Sequence, residues 1–306
     1  MADGSQARIV EADRAAADAA REAKAEMLEQ VKASGVTRPT TTAAKAKKAT
    51  PAVAGKLGYK EFLVDVWVTN LNSVEFGFYK KSRNKAKSRQ FTSDMDIFAE
   101  VIENGERTGL IGYREDLWKT ATGMDKRLVF KLFNESLNWR ATLDQMLGRS
   151  LQQTIGARGL PVTCFSVNVN NHDFVVYIER SANKWAFMPE NFSFFFVDEG
   201  EPKFYRLRRA LINLGGDYTL YDQKGDVVGY LDGKLFSFGK WRGRVRDDHA
   251  DPKLLMVLQM FSAMLVFNRG CRKHVKALAR EIAAGTLKPK LERQETDLYM
   301  NPRRVR

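Results

Sequence analysis

Residues 254 to 267 read Leu-Leu-Met-Val-Leu-Gln-Met-Phe-Ser-Ala-Met-Leu-Val-Phe, apolar around nearly the whole circumference of a helix. Asp251 is a good N-cap and Pro252 suits the first helical position, so the start of the helix is well specified. A helix with no polar face has no side left for water and must be enclosed by the rest of the chain. Two enclosures fit: a sandwich between a sheet and other helices, or a closed barrel with the helix threaded through it. At 14 residues the run is short of the roughly 20 that span a bilayer, which points to a soluble protein.

The stretch before this helix has the rhythm of strands. From Pro161 onward the apolar period is two, over Val162 to Val169, Phe174 to Ile178, Phe192 to Val197, Phe204 to Leu207 and Asp217 to Tyr221. Turn residues separate these runs at Asn170-Asn171, Asp198-Glu-Gly200, Gly215-Gly216 and Asp232-Gly233. Short strands at regular intervals predict an antiparallel barrel or sandwich. Phe62, Val64, Val66 and Val68 predict a further strand near Tyr59, with another at Val74 to Tyr79. Between Ser93 and Leu151 the pattern turns helical, with Ile97, Phe98, Val101 and Ile102, then Leu128, Val129, Leu132 and Phe133, then Leu143, Leu147 and Leu151. That predicts a helical insertion or subdomain over about 93–151.

The flanks differ from this folded part. Residues 1–33 are rich in Ala, Glu, Lys and Arg and can be helical, but they carry too few bulky apolar side chains to build a core. Residues 34–57 hold basic residues and no acid, as a flexible linker does. An α+β domain is expected over 58–285, followed by a basic tail at 286–306 that serves as a docking strand or a free arm. Acids throughout the first thirty residues argue against a secretory or mitochondrial signal. Cys164 and Cys271 form no C-x-x-C pair, so no zinc site or disulfide framework is expected and the default compartment is reducing. The expected location is cytoplasmic, with room for a peripheral membrane role.

Three segments, Gly216-Asp-Tyr-Thr-Leu-Tyr-Asp222, Gly225-Asp-Val-Val-Gly-Tyr-Leu-Asp-Gly-Lys234 and Leu235-Phe-Ser-Phe-Gly239, resemble the strand rhythm of the Tubby-like superfamily, LURP-one-related proteins in particular. The resemblance covers residues 160–268. It implies an antiparallel β-barrel closed around a hydrophobic helix near the C-terminus, and residues 252–267 match that helix in position and character. It also implies an anionic lipid headgroup such as a phosphoinositide as ligand, and a peripheral tether or regulator as role.

No catalytic constellation is legible. His172, His249 and His274 have no cysteine or carboxylate at ligand spacing, and Cys271 with His274 lacks an orienting third group. Gly105 to Gly112 is neither a dinucleotide fingerprint nor a Walker loop. We therefore expect no metal, no cofactor and a function other than catalysis. Charge is the stronger signal, since 50 Lys and Arg against 37 Asp and Glu give a net +13 that favours anionic partners.

Lys240, Arg242, Arg244 and Arg246 alternate with Trp241, Gly243 and Val245, which places four cations on one strand face. Their mutual repulsion would go unrelieved unless an anion binds, and phosphates suit the guanidinium fork. A solvated outer face is the plainer alternative. Arg206 and Arg208 beside Phe204 and Tyr205, and Lys80, Lys81 and Arg83 in a run of six basic residues ending at Arg89, extend the candidate ligand-binding set. Arg269, Arg272, Lys273, Lys276 and Arg280 mark a basic amphipathic helix of a kind that more often packs on a core. Two rivals to lipid binding stand: nucleic acid stacked on Trp241, Tyr205 or Phe204, and a structural subunit docking on protein partners.

Overall fold

The computed structural model describes residues 58–66, 91, 95–172, 174–182, 188–210, 217–233 and 239–300. The expected N-terminal helix, the basic linker, the strand at 74–79, Lys80, Lys81 and Arg83 with the rest of their run, residues 234–238 and the last six residues lie outside them.

Twelve antiparallel strands form one closed barrel in simple sequence order: β1 (Tyr59–Val66), β2 (Met95–Glu103), β3 (Glu106–Arg114), β4 (Val129–Phe133), β5 (Trp139–Gln145), β6 (Cys164–Val169), β7 (Val175–Arg180), β8 (Asn191–Asp198), β9 (Glu201–Arg209), β10 (Tyr218–Tyr221), β11 (Val227–Gly233) and β12 (Lys240–Arg246). β1 closes the ring against β12 in the register Phe62 to Gly243 and Asp65 to Lys240. Closure leaves no unpaired sheet edge.

Among the described residues three α-helices accompany the barrel: α1 (Leu147–Gly156), α2 (Pro252–Ala283) and α3 (Arg293–Met300). Asp251 caps α2, its carboxylate accepting from the Lys253 amide at 2.7 Å, with Pro252 at the first helical position as expected. Every residue from Leu254 to Met264 is buried, which is three turns with no exposed face. Those residues share one hydrophobic core with inward side chains from all twelve strands, including Val64, Ile111, Phe165, Phe192, Leu220 and Val245. Of the two enclosures open to the sequence, the barrel is the one the chain uses. By length and hydropathy α2 would pass for a membrane-crossing helix, but 72% of its apolar window is covered by the protein.

One glycine makes this filling possible. Gly243 points inward on β12, and a Cβ there would lie 2.0 Å from the Phe62 ring on the paired strand. The missing side chain is the space that Phe62 occupies.

The expected helical insertion at 93–151 is corrected: β2, β3, β4 and β5 occupy most of it, and α1 begins only at Leu147. These strands bury residues on both faces. Met95, Ile97, Leu110 and Phe133 turn outward into a satellite cluster with Phe91 and Leu137, while Ala99, Val101, Ile111, Phe130 and Leu132 face the main core. Register shifts at Ile97/Ala99 and Val101/Ile102 break the alternation further. Apolar residues on both sides of an irregular strand imitate helical spacing.

The basic helix read at 269–284 is the continuation of α2, which runs 32 residues without interruption. Nor are residues 286–300 a strand or a free arm, since they include α3 and dock on the barrel wall. Glu295 accepts hydrogen bonds from the Gly148 and Arg149 amides at 2.9 and 2.7 Å, serving as the missing N-terminal cap of α1. Leu291 fits here because residue 148 is glycine, where a Cβ would come within 2.2 Å of it.

Candidate anion-binding surface

The four alternating cations of β12 do point outward together, but each has a carboxylate. Lys240 pairs with Asp65 at 2.5 Å, Arg242 with Glu61 at 2.5 Å, Arg244 with Asp232 at 2.8 Å and Arg246 with Asp248 at 2.6 Å. Three of these acids sit on the flanking strands β1 and β11, where the register brings them opposite or diagonal to their partners. The premise of unrelieved repulsion is therefore corrected. The row is neutralised within the protein by surface pairs, each weak because solvent screens it.

Strand β9 is different. Arg206 and Arg208 face outward, and neither has a carboxylate partner among the described residues. Arg206 lies over the Tyr221 ring, 5.0 Å from its centroid. Phe204 is 50% exposed on the same face and packs against Phe195. The other two expected stacking platforms are corrected. Tyr205 faces the core between Phe194 and Phe196, and Trp241 packs inward against the same core. A strand's alternation sends every second residue inside, and both fall on inward positions.

Among the described residues, the densest charge without an ion-pair partner lies on α2 after it leaves the barrel. From Asn268 onward only one side remains buried: Cys271 still belongs to the main core, and Val275, Leu278 and Ala279 pack on Met124, Leu147 and Leu151. Arg269, Lys273, Lys276 and Arg280 are all exposed and have no ion-pair partner among the described residues. At about 100° per residue they fall within a third of the circumference and extend about 16 Å along the axis. Glu281, the nearby acid of this half, projects from a different side of the helix. The sequence displayed all of these residues, but only the packing shows which face is covered.

At the barrel end where α2 emerges, a buried carboxylate ties the helix to the wall. Glu190 forms an ion pair with Arg180, accepts from the Tyr218 hydroxyl at 2.8 Å and from Asn268 Nδ2 at 3.0 Å, and lies 3.4 Å from Arg272 Nη1. Burial raises its pKa, but the charge of Arg180 and the hydrogen bonds outweigh that, so Glu190 sits below the usual carboxylate range. Burial and the Glu190 charge push Tyr218 upward, which keeps it a donor.

The nucleophile candidates are occupied structurally. Burial pushes the Cys164 thiol up to about 12 and raises Cys271 as well, while His274 Nε2 faces the Lys126 carbonyl at 3.1 Å. His249 sits 3.3 Å from the Tyr205 hydroxyl.

One carboxylate is perturbed in the opposite sense. Burial pushes Asp144 on β5 up to about 6, with Arg127 pulling it down and Glu292 and Glu295 adding to the rise. A raised carboxyl binds its proton more tightly in the folded state, so its ionisation costs stability above about pH 6, and the cost fades as pH falls toward 4. Asp144→Asn is therefore expected to raise stability by about 1–3 kcal/mol near pH 7.5 and to give little gain near pH 4.5, measured by urea unfolding at both pH values.

Comparison of the chain with protein-family models, with curated proteins and with solved structures gave no match.

Proposed function

We propose that this is a non-enzymatic binding protein that docks on acidic, phosphate-bearing lipid surfaces through the outer half of α2. The observation that carries the reading is the exposed stripe Arg269, Lys273, Lys276 and Arg280, four cations on one helix face without acid partners among the described residues. The barrel interior is filled by the chain's own helix, so a ligand has to be met on the outside. Near an acidic membrane each cation contributes about 1 kcal/mol, and four give about 4 kcal/mol, enough for reversible association. Arg206, Arg208 and the half-exposed Phe204 form a second, smaller outward patch that suits the same kind of surface.

A closed barrel around a C-terminal helix also supports the Tubby-like, LURP-one-related reading made on the sequence. On that reading the headgroup is a phosphoinositide and the location is the cytoplasmic face of a membrane. The β12 row, being internally paired, has a lesser part.

Sedimentation with phosphatidylserine and phosphoinositide vesicles, against neutral phosphatidylcholine vesicles, tests the proposal at about 0.15 M salt, where loose attraction is partly screened. Replacing Arg269, Lys273, Lys276 and Arg280 together by Ala is expected to weaken binding by about a hundredfold or more. Replacing Lys240, Arg242, Arg244 and Arg246 by Ala is expected to weaken it by less than about tenfold. The reverse ranking would move the surface to β12. Binding of single- or double-stranded nucleic acid with no retention on any vesicle would replace the lipid reading with the nucleic-acid one.

A further inference from the structure

A second candidate site lies on a different wall of the barrel and shares no residue with the cationic stripe. Between the outer face of β3 to β7 and the docked C-terminal segment is a cavity of about 370 Å³, within the range of small-molecule sites. Val129, Trp139 and Val175 give it apolar surface. Its charged lining is balanced, with Arg114, Arg127 and Lys131 against Asp144, Glu292 and Glu295.

Three residues of this lining carry a buried side-chain polar atom that makes no hydrogen bond. Gln145, 2% exposed, accepts from the Leu128 amide through Oε1, while its Nε2 donates to nothing. Arg127 is held by Glu292 through Nη1 at 2.8 Å, while its Nε has no hydrogen bond. Asp144 Oδ1 likewise has no hydrogen bond, and forms with Arg127 Nε an ion pair at 3.5 Å that lacks hydrogen-bond alignment. Of the eight buried side-chain polar atoms without a hydrogen-bond partner among the described residues, these three gather at one cavity. Each costs about 1–3 kcal/mol while unmatched, a cost that an apolar wall would not carry.

We propose that this cavity binds a small zwitterion of the α-amino-acid type, its ammonium on Asp144 and its carboxylate on the donors of Arg127 and Gln145. The charge balance selects the class. A free anion would meet three carboxylates and a free cation three basic groups, whereas a molecule carrying both signs side by side meets a donor pair and an acceptor already adjacent. Glu295 is committed to the amides of α1 and Glu292 is paired with Arg127 at 2.8 Å, whereas Asp144 meets Arg127 only through the longer ion pair at 3.5 Å, into which an ammonium and a carboxylate can insert. The unmatched atoms are shut from solvent in this arrangement. A guest reaches them by shifting the Arg127 guanidinium, whose other tie is to the peripheral C-terminal segment.

The test is calorimetric titration of the full chain with each standard amino acid, and with inorganic phosphate and putrescine as probes of one charge sign each, up to about 10 mM. At least one amino acid is expected to bind. Gln145→Glu keeps the bond to Leu128 but replaces the donor with a negative charge, and Asp144→Asn removes the partner of the ammonium. Each is expected to weaken binding by about tenfold or more while circular dichroism stays unchanged. Gln145→Glu serves as an independent second variant that leaves Asp144 in place. No amino acid binding at about 10 mM, or binding unaffected by these substitutions, overturns the proposal and leaves a water-filled cavity. Vesicle sedimentation is expected to be unchanged in both variants, so this proposal and the membrane reading fail separately.

Discussion

Replacing Glu190 by Ala is expected to destabilise the protein by about 3–5 kcal/mol, one of the two largest single-residue effects we foresee. Arg180 is 6% exposed and has Glu190 as its counter-charge, so truncation would leave a guanidinium buried with, among the described residues, the Pro161 and Ser181 carbonyls to accept from it. The same change removes the acceptor of the Tyr218 hydroxyl and of Asn268 Nδ2, and the anion beside Arg272. Glu190→Gln keeps an acceptor for Tyr218 and is expected to cost less than Ala. The pH dependence follows from the sign of the shift. A carboxyl held below its ordinary value contributes stability that is fully present above about pH 4.5 and is lost as pH falls through the lower folded value. Urea midpoints of wild type and Glu190→Ala should therefore differ widely at neutral pH and converge in acid. A cost below about 1 kcal/mol at neutral pH would mean that the network does not hold α2 to the wall.

How much of this was legible in the sequence depended on how cleanly each element separates its two faces. Strands β6 to β12 put one face on the core and one toward water, so Val167, Ile178, Phe194, Leu207 and Val245 stood out at a period of two. Strands β2 to β4 pack on both sides, and their apolar residues read as helix. Asp251 and Pro252 located the start of α2, but its change from all-round to one-sided burial near Asn268 disguised one helix as two. The neutralised β12 row shows a different limit. Glu61, Asp65 and Asp232 were all visible, yet whether they meet the cations depends on cross-strand register, which local sequence does not state. Glu190 carried no signal at all, being one acid in a Pro-Glu-Asn turn whose partners come from β7, β10 and α2. The C-terminal cavity is assembled in the same way, from five strands and a segment more than a hundred residues downstream of β7.

Phe261→Ala is expected to cost a further large amount, about 3–5 kcal/mol, because the side chain is fully buried where helix and barrel interlock. Its ring meets Phe192 edge-on at 4.9 Å and Tyr218 at 5.8 Å, so truncation opens a cavity between α2 and strands β8 and β10 that the closed ring cannot collapse to fill. Against a typical total of about 5–15 kcal/mol, that loss brings the fold near its margin. Val266→Ala, at a partly exposed position one turn on, serves as the control and is expected to stay within about 0.5 kcal/mol. Urea unfolding of both variants measures the difference, and equal effects would mean that α2 does not fill the barrel. Vesicle binding separates the two halves of the helix. The cationic half is held by its own contacts with Met124, Leu147 and Leu151, which Phe261 does not touch. A folded Phe261→Ala protein should therefore sediment with acidic vesicles as wild type does, losing stability without losing the surface.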